Sequence, residues 1–518
     1  MAGQGLKWWT RANSDMSQLD FVDVTLRDAH QCLWATRMPT AMMLPIAARM
    51  DTVGFKAIDL MGAVQFDVCV RYLRENPWER IRLVRRAIER TPLNGWVRSK
   101  SLVSFNLVSD DVIELWIRCL AANGIRRLSM FDALFDMDNL APSIRIAKEV
   151  GIYVVGALVY SLSPVHTDEL FGRKTSELVA LGVDAVLLKD PGGLLTPDRV
   201  RTLVPVMRSC LGHRPLEIHS HCTTGLAPVC YAEAIKLGVD TVHTAISPLA
   251  NGPSLPPTER IAAFARRMGR TVVLDGPGLE EMAAHFRDAA VAAKKPLGQP
   301  VEYDPFQYEH QIPGGMMENF RAQLVEAGLE HRLDEVLAEV ARVREELGYL
   351  NMVTPTSQLV GTQAVINVVQ GERYRTVPDE VIKYALGYYG KPVAPLDPDV
   401  LDRILQAPVA REYARREPIP PMVERVRARF GGNISDEEVL LRIMFPEEHV
   451  EAMLAAGPIR QDYPRVTLPL VELIRQLCAR RDLGYVRLTR DGETPTVRMS
   501  ADAGGAARDA STGTRAPS

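Results

Sequence analysis

Leu216-Glu217-Ile218-His219-Ser220-His221 is an apolar-flanked segment that ends in two histidines one residue apart, with Cys222-Thr223-Thr224-Gly225 behind it. In a strand, residues i and i+2 share a face, so both imidazoles point the same way and can grip one metal ion. The competing explanation is chance, because ten histidines are spread over the 518 residues. The rest of the chain has to decide between the two.

Working outward, Leu216–His221 is the seventh of eight short β-rich runs. The others are Phe21–Thr25, Ala57–Met61, Leu102–Leu107, Arg127–Phe131, Tyr153–Tyr160, Ala185–Lys189 and Thr241–Ile246. Amphipathic stretches such as Pro77–Thr91, Asp110–Asn123 and Leu140–Val150 lie between them. Eight alternations over roughly 250 residues predict an α/β fold of the (β/α)8 TIM-barrel type, with the active site where strand C-termini meet their loops. A doubly wound sheet competes, but it does not naturally give a count of eight.

The barrel is expected over 21–305, after an N-terminal extension of 1–20. The turn-rich run Pro296–Phe306 marks its end. A mainly α-helical domain is expected over 306–490. Its apolar periodicity shows in Met317–Ala327, Arg332–Gly348, Ser357–Gln370, Pro378–Leu386, Asp399–Ala407 and Ser435–Phe445. Met316 and Met317 read as core packing. Leu483–Leu488 and Thr496–Met499 read as a short hairpin, and 491–518 as a tail that is disordered at least from Ser500.

Composition narrows the function. Sixty-one basic and sixty-four acidic residues leave a net charge of −3 with no long run of one sign, which argues against nucleic acid or an anionic membrane as partner. Seven cysteines without a CxxC fit reduced thiols. No signal-peptide core or spanning apolar run is present, so a soluble, cytoplasmic protein is expected.

The strand ends then become informative. Thr25-Leu26-Arg27-Asp28-Ala29-His30-Gln31 follows the first run, Leu187-Leu188-Lys189-Asp190 ends the sixth, and His219 and His221 end the seventh. An Asp, two His and a lysine thus converge on one mouth from positions up to about 190 residues apart. One carboxylate and two neutral imidazoles make a divalent-metal set. Lys189 has three readings: a salt bridge to Asp190 or another acid, a Schiff-base amine, or a lysine converted by carbon dioxide to an anionic carbamate ligand. Asp59 and Asp132 add acidic groups at the second and fourth strand ends.

The run Thr25-Leu26-Arg27-Asp28-Ala29-His30-Gln31-Cys32-Leu33-Trp34-Ala35-Thr36-Arg37 closely resembles the opening of the biotin-dependent carboxyltransferases. These include the central transcarboxylase subunit, the carboxyltransferase part of pyruvate carboxylase and the oxaloacetate decarboxylase α chain. The likeness continues through Phe131-Asp132-Ala133-Leu134, Ser163-Pro164-Val165-His166-Thr167, Leu188-Lys189-Asp190, His219-Ser220-His221 and Pro313-Gly314-Gly315-Met316. It reaches Val353-Thr354-Pro355-Thr356-Ser357-Gln358 and Gly387-Tyr388-Tyr389-Gly390-Lys391-Pro392 in the second domain.

The resemblance implies a metal-bearing barrel with a helical funnel over its mouth. Asp28, His219 and His221 match the family's metal ligands, and Lys189 matches its carbamylated, metal-ligating lysine. Arg27 and Gln31 match positions lining the keto-acid site. The implied cofactors are a divalent metal (Zn, Co or Mn) and biotin supplied in trans as carboxybiotin on a carrier protein. The implied reaction is carboxyl transfer between carboxybiotin and a small enolisable acid, pyruvate and oxaloacetate by default. Lacking a biotinylation motif and an ATP-grasp region, the chain is expected to work with other carboxylase or transcarboxylase subunits, as a homodimer or larger oligomer.

Three departures accompany the likeness. Aligning Ser101–Leu107 puts the family's carboxylate-binding arginine at Val103, which predicts altered acceptor specificity. Phe135 stands where the family shows asparagine. For the family's proton-shuttling threonine, Ser247, Ser254 and Thr258 are candidates; Ser254 and Thr258 are assigned here, with turn and cap hydrogen bonds as the competing roles. Two other functions compete: a metal-dependent lyase of the hydroxymethylglutaryl-CoA lyase type, and a non-catalytic scaffold subunit.

Overall fold

Eight parallel strands close on themselves in chain order: β1 (Asp20–Asp23), β2 (Ala57–Met61), β3 (Leu93–Arg98), β4 (Ile125–Phe131), β5 (Tyr153–Val159), β6 (Ala185–Asp190), β7 (Leu216–Ser220) and β8 (Thr241–Thr244). β1 pairs with both β2 and β8, so the sheet has no free edge. The coordinates are a computed structural model. It describes residues 18–103, 106–312, 317, 324–325, 328–415 and 419–463, and the backbone of 485–487 and 496–498.

The strands are buried on both faces, because helices cover the outer face and the barrel interior the other; β2 and β6 are buried throughout, their polar residues included. The connecting helices begin where the sequence supplies caps. Asn76 accepts from the Trp78 amide ahead of Pro77–Ala87, and Thr167 from the Leu170 amide ahead of Asp168–Ala180.

One predicted strand is displaced. The third strand is Leu93–Arg98; of the expected run Leu102–Leu107, Leu102, Val103, Asn106 and Leu107 lie in the connection that follows, and 104–105 are outside the described residues. Leu102–Leu107 alternates like a half-buried strand, whereas the true strand carries Asn94 and Gly95, both poor strand formers. Tertiary packing explains them: a Cβ on Gly95 would stand 3.0 Å from a Leu128 methyl, and Asn94 is tied to Asp59 inside the barrel.

The chain divides into two compact units, residues 1–463 and 464–518. In the first, two apolar clusters are distinct. One fills and surrounds the barrel. The other joins Leu134, just after β4, to residues from Ile312 to Ala410, including Val336, Val340, Val360 and Ile382 on the helices Leu333–Glu346, Thr356–Gln370 and Asp379–Ala385. The later helices Val423–Phe430, Asp436–Met444 and Glu447–Ala455 place Val439, Leu441, Val450 and Met453 back in the barrel cluster. Met317 packs against the helical cluster, while Met316, most of Met317–Ala327 and the motif Pro313–Met316 lie outside the described residues. In the second unit β9 (Tyr485–Arg487) and β10 (Thr496–Arg498) pair antiparallel, as the hairpin reading expects; the tail from Ser500 lies outside the described residues. No helix among the described residues is long and apolar enough to cross a membrane.

Candidate active site

At the end of β1 the Asp23 carboxylate accepts from the Thr25 amide and hydroxyl, at 3.1 and 2.7 Å. The chain then turns through a five-residue π-helical segment, Thr25–Ala29, into the short helix His30–Trp34. Such turns recur at functional sites because they redirect side chains. This one delivers Arg27 and Asp28, both buried, to the barrel mouth. Arg27 donates from Nη2 to Asp28 at 2.9 Å and from Nε to Asp59 at 2.7 Å, and its guanidinium lies 4.8 Å from the Trp96 ring centre. Asp59 also accepts from Trp96 Nε1 at 2.9 Å and Asn94 at 2.8 Å.

From β7, His219 and His221 meet this group. Asp28 Oδ2 lies 3.0 Å from His219 Nε2 and 3.5 Å from His221 Nε2, and the two nitrogens are 3.1 Å apart. His221 Nδ1 lies 2.7 Å from the Pro253 carbonyl, which can only accept, so this nitrogen carries the proton. Burial opposes its protonation, but Cys32 and Asp28 raise His221 well above the usual imidazole range, so only when a cation displaces that proton does Nε2 present a lone pair beside Asp28. Acceptors aimed at one another fit a cation between them, and one carboxylate with two imidazoles suits Zn, Co or Mn.

Lys189 is the register partner of His219 across β6 and β7, so its side chain enters the same mouth. Its amine sits 4.3 Å from the Trp96 ring centre and 4.8 Å from that of Phe131. Asp190 does not partner it: that carboxylate accepts from the amides of Leu194 and Leu195 and from Ser220. Burial, aided by the Arg27 cation, pushes the Lys189 ammonium down to about 8. Burial also holds His219 well below the usual imidazole range. At Asp28 burial acts the other way, but Arg27 and His221 overcome it and hold the carboxyl well below its ordinary range.

Gln31 is half-buried and accepts from Gln65, which also donates to the Arg27 carbonyl. The three candidate hydroxyls differ. Thr258 opens the helix Thr258–Arg267 and donates to Thr244 at 2.8 Å, and Ser247 donates to Glu259 at 2.7 Å. The Ser254 hydroxyl is buried without a partner, next to the Pro253 carbonyl that holds His221. Asp132 is a turn carboxylate, accepting from the amides of Leu134 and Asp136 and from Asn139.

The displaced third strand corrects the reading of Val103. β3 ends on Arg98, which shares the inward face with Asn94 and Trp96 by the two-residue period. Arg98 is buried, and burial lowers it to about 10. It donates to the Val103 carbonyl, its Nε has no partner, and it forms no ion pair among the described residues. A cation therefore stands at the strand end where Val103 left none. Counting the strand from Leu93 would have found it.

Two further groups escaped sequence reading. Cys32 Sγ lies 3.7 Å from His221 Nδ1 and 3.8 Å from Asp28 Oδ1. Below His219, His243 Nδ1 lies 3.2 Å from His219 Nδ1, and its Nε2 lies 2.9 Å from Glu217, which is ion-paired to Arg127. The i, i+2 spacing of Glu217 and His219 was the available signal, but the partner strand could not be read with it.

Residues 308–463 match the family model described as a conserved carboxylase domain. The chain is 41% identical over 453 residues to a pyruvate carboxylase subunit of Methanocaldococcus jannaschii, covering 85% of this chain and 79% of that protein. It is 35% identical to the methylmalonyl-CoA carboxyltransferase 5S subunit of Propionibacterium freudenreichii subsp. shermanii, covering 84% and 87%. The carboxyl transferase domain of Rhizobium etli pyruvate carboxylase, solved with oxamate and biotin, shares the fold at a TM-score of 0.78 and 24% identity, over 87% of this chain and 80% of that one. With 41% identity sustained through barrel and helices alike, the chain belongs to the biotin-dependent carboxyltransferases and is a transferase.

Proposed function

We propose that the protein moves a carboxyl group between carboxybiotin, presented by a separate carrier protein, and pyruvate, forming oxaloacetate or consuming it. The observation that carries this reading is the buried Arg98, which forms no ion pair among the described residues and ends β3 on the same inward face as Trp96, at the barrel end that also gathers Asp28, His219 and His221. A keto acid needs a cation for its carboxylate and an electrophile for its keto oxygen, and these groups supply both ends. Asp28, His219, His221 and a carbamylated Lys189 would hold the metal, which when bound polarises the keto oxygen.

The residues of the chain do the rest. Arg98 holds the carboxylate. Arg27 is fixed by Asp28 and Asp59, with its guanidinium against the Trp96 ring. Trp96 and Phe131 wall Lys189 from water. As the carboxybiotin N–C bond breaks and the C–C bond forms at the acceptor methyl, one methyl proton must pass to the biotin nitrogen, and we assign that transfer to Ser254, whose hydroxyl has no hydrogen-bond partner. Thr258, spent on Thr244, has the weaker claim. Carbamylation of Lys189 joins its neutral amine to carbon dioxide and releases one proton. The working assembly joins this chain, in two or more copies, to a biotin carrier and a biotin-carboxylating subunit.

Purified full-length protein given oxaloacetate, free biotin and a divalent metal tests the reading. Oxaloacetate loss that depends on biotin and is abolished by a chelator supports it. Inactivity with oxaloacetate, alongside turnover of another enolisable acid or an acyl-CoA, would remove pyruvate as acceptor. Biotin-independent cleavage of a hydroxyacyl-CoA would replace the reading with a lyase.

A further inference from the structure

Between the strand ends that carry Arg27 and Arg98, the structure buries a carboxamide to which the proposed reaction gives no task. Gln65 stands on the helix Ala63–Val68 that leaves β2 and is fully buried. Its Nε2 lies 3.2 Å from the Arg27 carbonyl oxygen and 3.1 Å from Gln31 Oε1. Its Oε1 packs against Gly62, where a Cβ would stand 3.1 Å away, and accepts no hydrogen bond. Gln31 follows one turn after Arg27, in the short helix His30–Trp34; it is half-buried, and its Nε2 has no partner among the described residues.

One of these contacts fixes the others. A backbone carbonyl can only accept, so the Gln65 atom that faces both partners is the amide nitrogen. Its two hydrogens are then spent, one on Arg27 and one on Gln31, and Gln31 answers with its oxygen. Turning the Gln65 amide over would set two carbonyl oxygens 3.2 Å apart and forfeit the bond to Arg27. The Gln31 carboxamide is thereby left with its two N–H donors on the side away from Gln65. A keto acid offers only acceptors, its carboxylate and its keto oxygen, so this orientation decides whether Gln31 attracts or repels it.

We propose that Gln65 is a positioning residue that holds the Gln31 carboxamide with its oxygen inward, so that Nε2 is presented as a donor to the keto acid. The proposal rests on the reading of Gln31 as a keto-acid contact. The orientation itself belongs to the ligand-free protein and involves only neutral amide groups.

The test measures binding of oxamate, a pyruvate mimic without a methyl group, to full-length protein supplied with zinc, by titration calorimetry. Gln65→Glu keeps the size but brings at most one proton, which the Arg27 carbonyl claims; Gln31 must then donate inward and turn its oxygen to the mouth. Oxamate affinity should fall about tenfold. Gln65→Met keeps the bulk and leaves Gln31 free to rotate, so the loss should be about threefold. In a Gln31→Ala background both substitutions should be silent, because the group through which they act is gone. Neutron diffraction from deuterium-exchanged crystals of the ligand-free protein reads the orientation directly, with deuterium expected on the Gln31 atom that faces away from Gln65. Deuterium on the atom facing Gln65 would overturn the proposal. So would unchanged oxamate affinity in Gln65→Glu, equal losses in Gln65→Glu and Gln65→Met, or the same losses with Gln31 removed. If Gln65→Glu does not fold, Gln65→Met with its Gln31→Ala control and the neutron map decide. Native protein that binds no oxamate, with Gln31 oriented as expected, would count against the keto-acid reading and not against the orientation.

Discussion

Burial that lowers Arg98 to about 10 while leaving its Nε unpartnered describes a cation waiting for an anion. Charge-assisted pairs of this kind contribute about 1.5–3 kcal/mol. Arg98→Leu is therefore expected to raise KM for a keto acid roughly 10- to 100-fold, while zinc affinity stays unchanged, as chelator competition would show. Lys189 makes a pH prediction. Its amine, lowered to about 8 by burial and Arg27, is protonated and inert below that pH and neutral above it. Carbamate at Lys189 should therefore rise as pH increases through about 8 at fixed carbon dioxide, followed by the carbamate carbon signal with carbon-13 bicarbonate. At this scale the convergence of Asp28, Lys189 and His219 with His221 on one mouth was legible, because Lys189 and His219 lie in strands whose period fixes their direction and Asp28 follows the end of β1 closely. Arg98 was not, because a one-element error in strand placement moved the expected strand end from Arg98 to the neighbourhood of Val103.

Among the elements, the connection leaving β6 bears most directly on the site. Gly193 has φ +66, and a Cβ there would lie 2.6 Å from the His221 carbonyl oxygen and 3.0 Å from the Thr223 amide nitrogen. Both obstacles are backbone and cannot swing aside. Gly193→Ala is expected to displace the His221 segment and weaken zinc binding at least tenfold; native affinity in that variant would show that the loop yields. Gly95 in β3 is a packing case. Gly95→Val should cost about 1–3 kcal/mol by overpacking against Leu128 and Ile125, seen as a lower urea midpoint. The same residue explains the missed strand: Gly95 weakens the local β signal because the neighbouring strand occupies the space a side chain would need. The helix Asp110–Asn123 was readable to the residue, since its periodicity needs no neighbour to interpret, whereas Pro77–Thr91 ends at Ala87 and Leu140–Val150 begins at Met137.

For the whole molecule, the barrel interior is unusually polar beneath its mouth, with Arg127, Glu217, Asn94, Asp59, His219 and His243 all buried. Barrel cores are commonly filled by branched apolar side chains. Removing one partner of such a buried ion pair typically costs about 3–5 kcal/mol, so Arg127→Met should sharply lower the unfolding midpoint by leaving Glu217 uncompensated. The eightfold alternation made the barrel legible, but this internal network was not, because it joins residues on strands whose register no local pattern encodes.

The return of the chain to the barrel has a mechanical consequence. The cluster from Ile312 to Ala410 lies in sequence between barrel residues and the segment whose Val439, Leu441, Val450 and Met453 rejoin the barrel cluster. That segment is further fastened by Glu437 to Arg82 and Asn123, by Asp111 to the amides of Met422 and Val423, and by Glu79 to that of Ile459. A segment anchored at one end can swing like a door, whereas one riveted at both ends behaves as a bridge. Under the proposed function, a carboxybiotin donor would therefore have to come to Lys189 and its neighbours, because a segment tied at both ends cannot swing out to meet it.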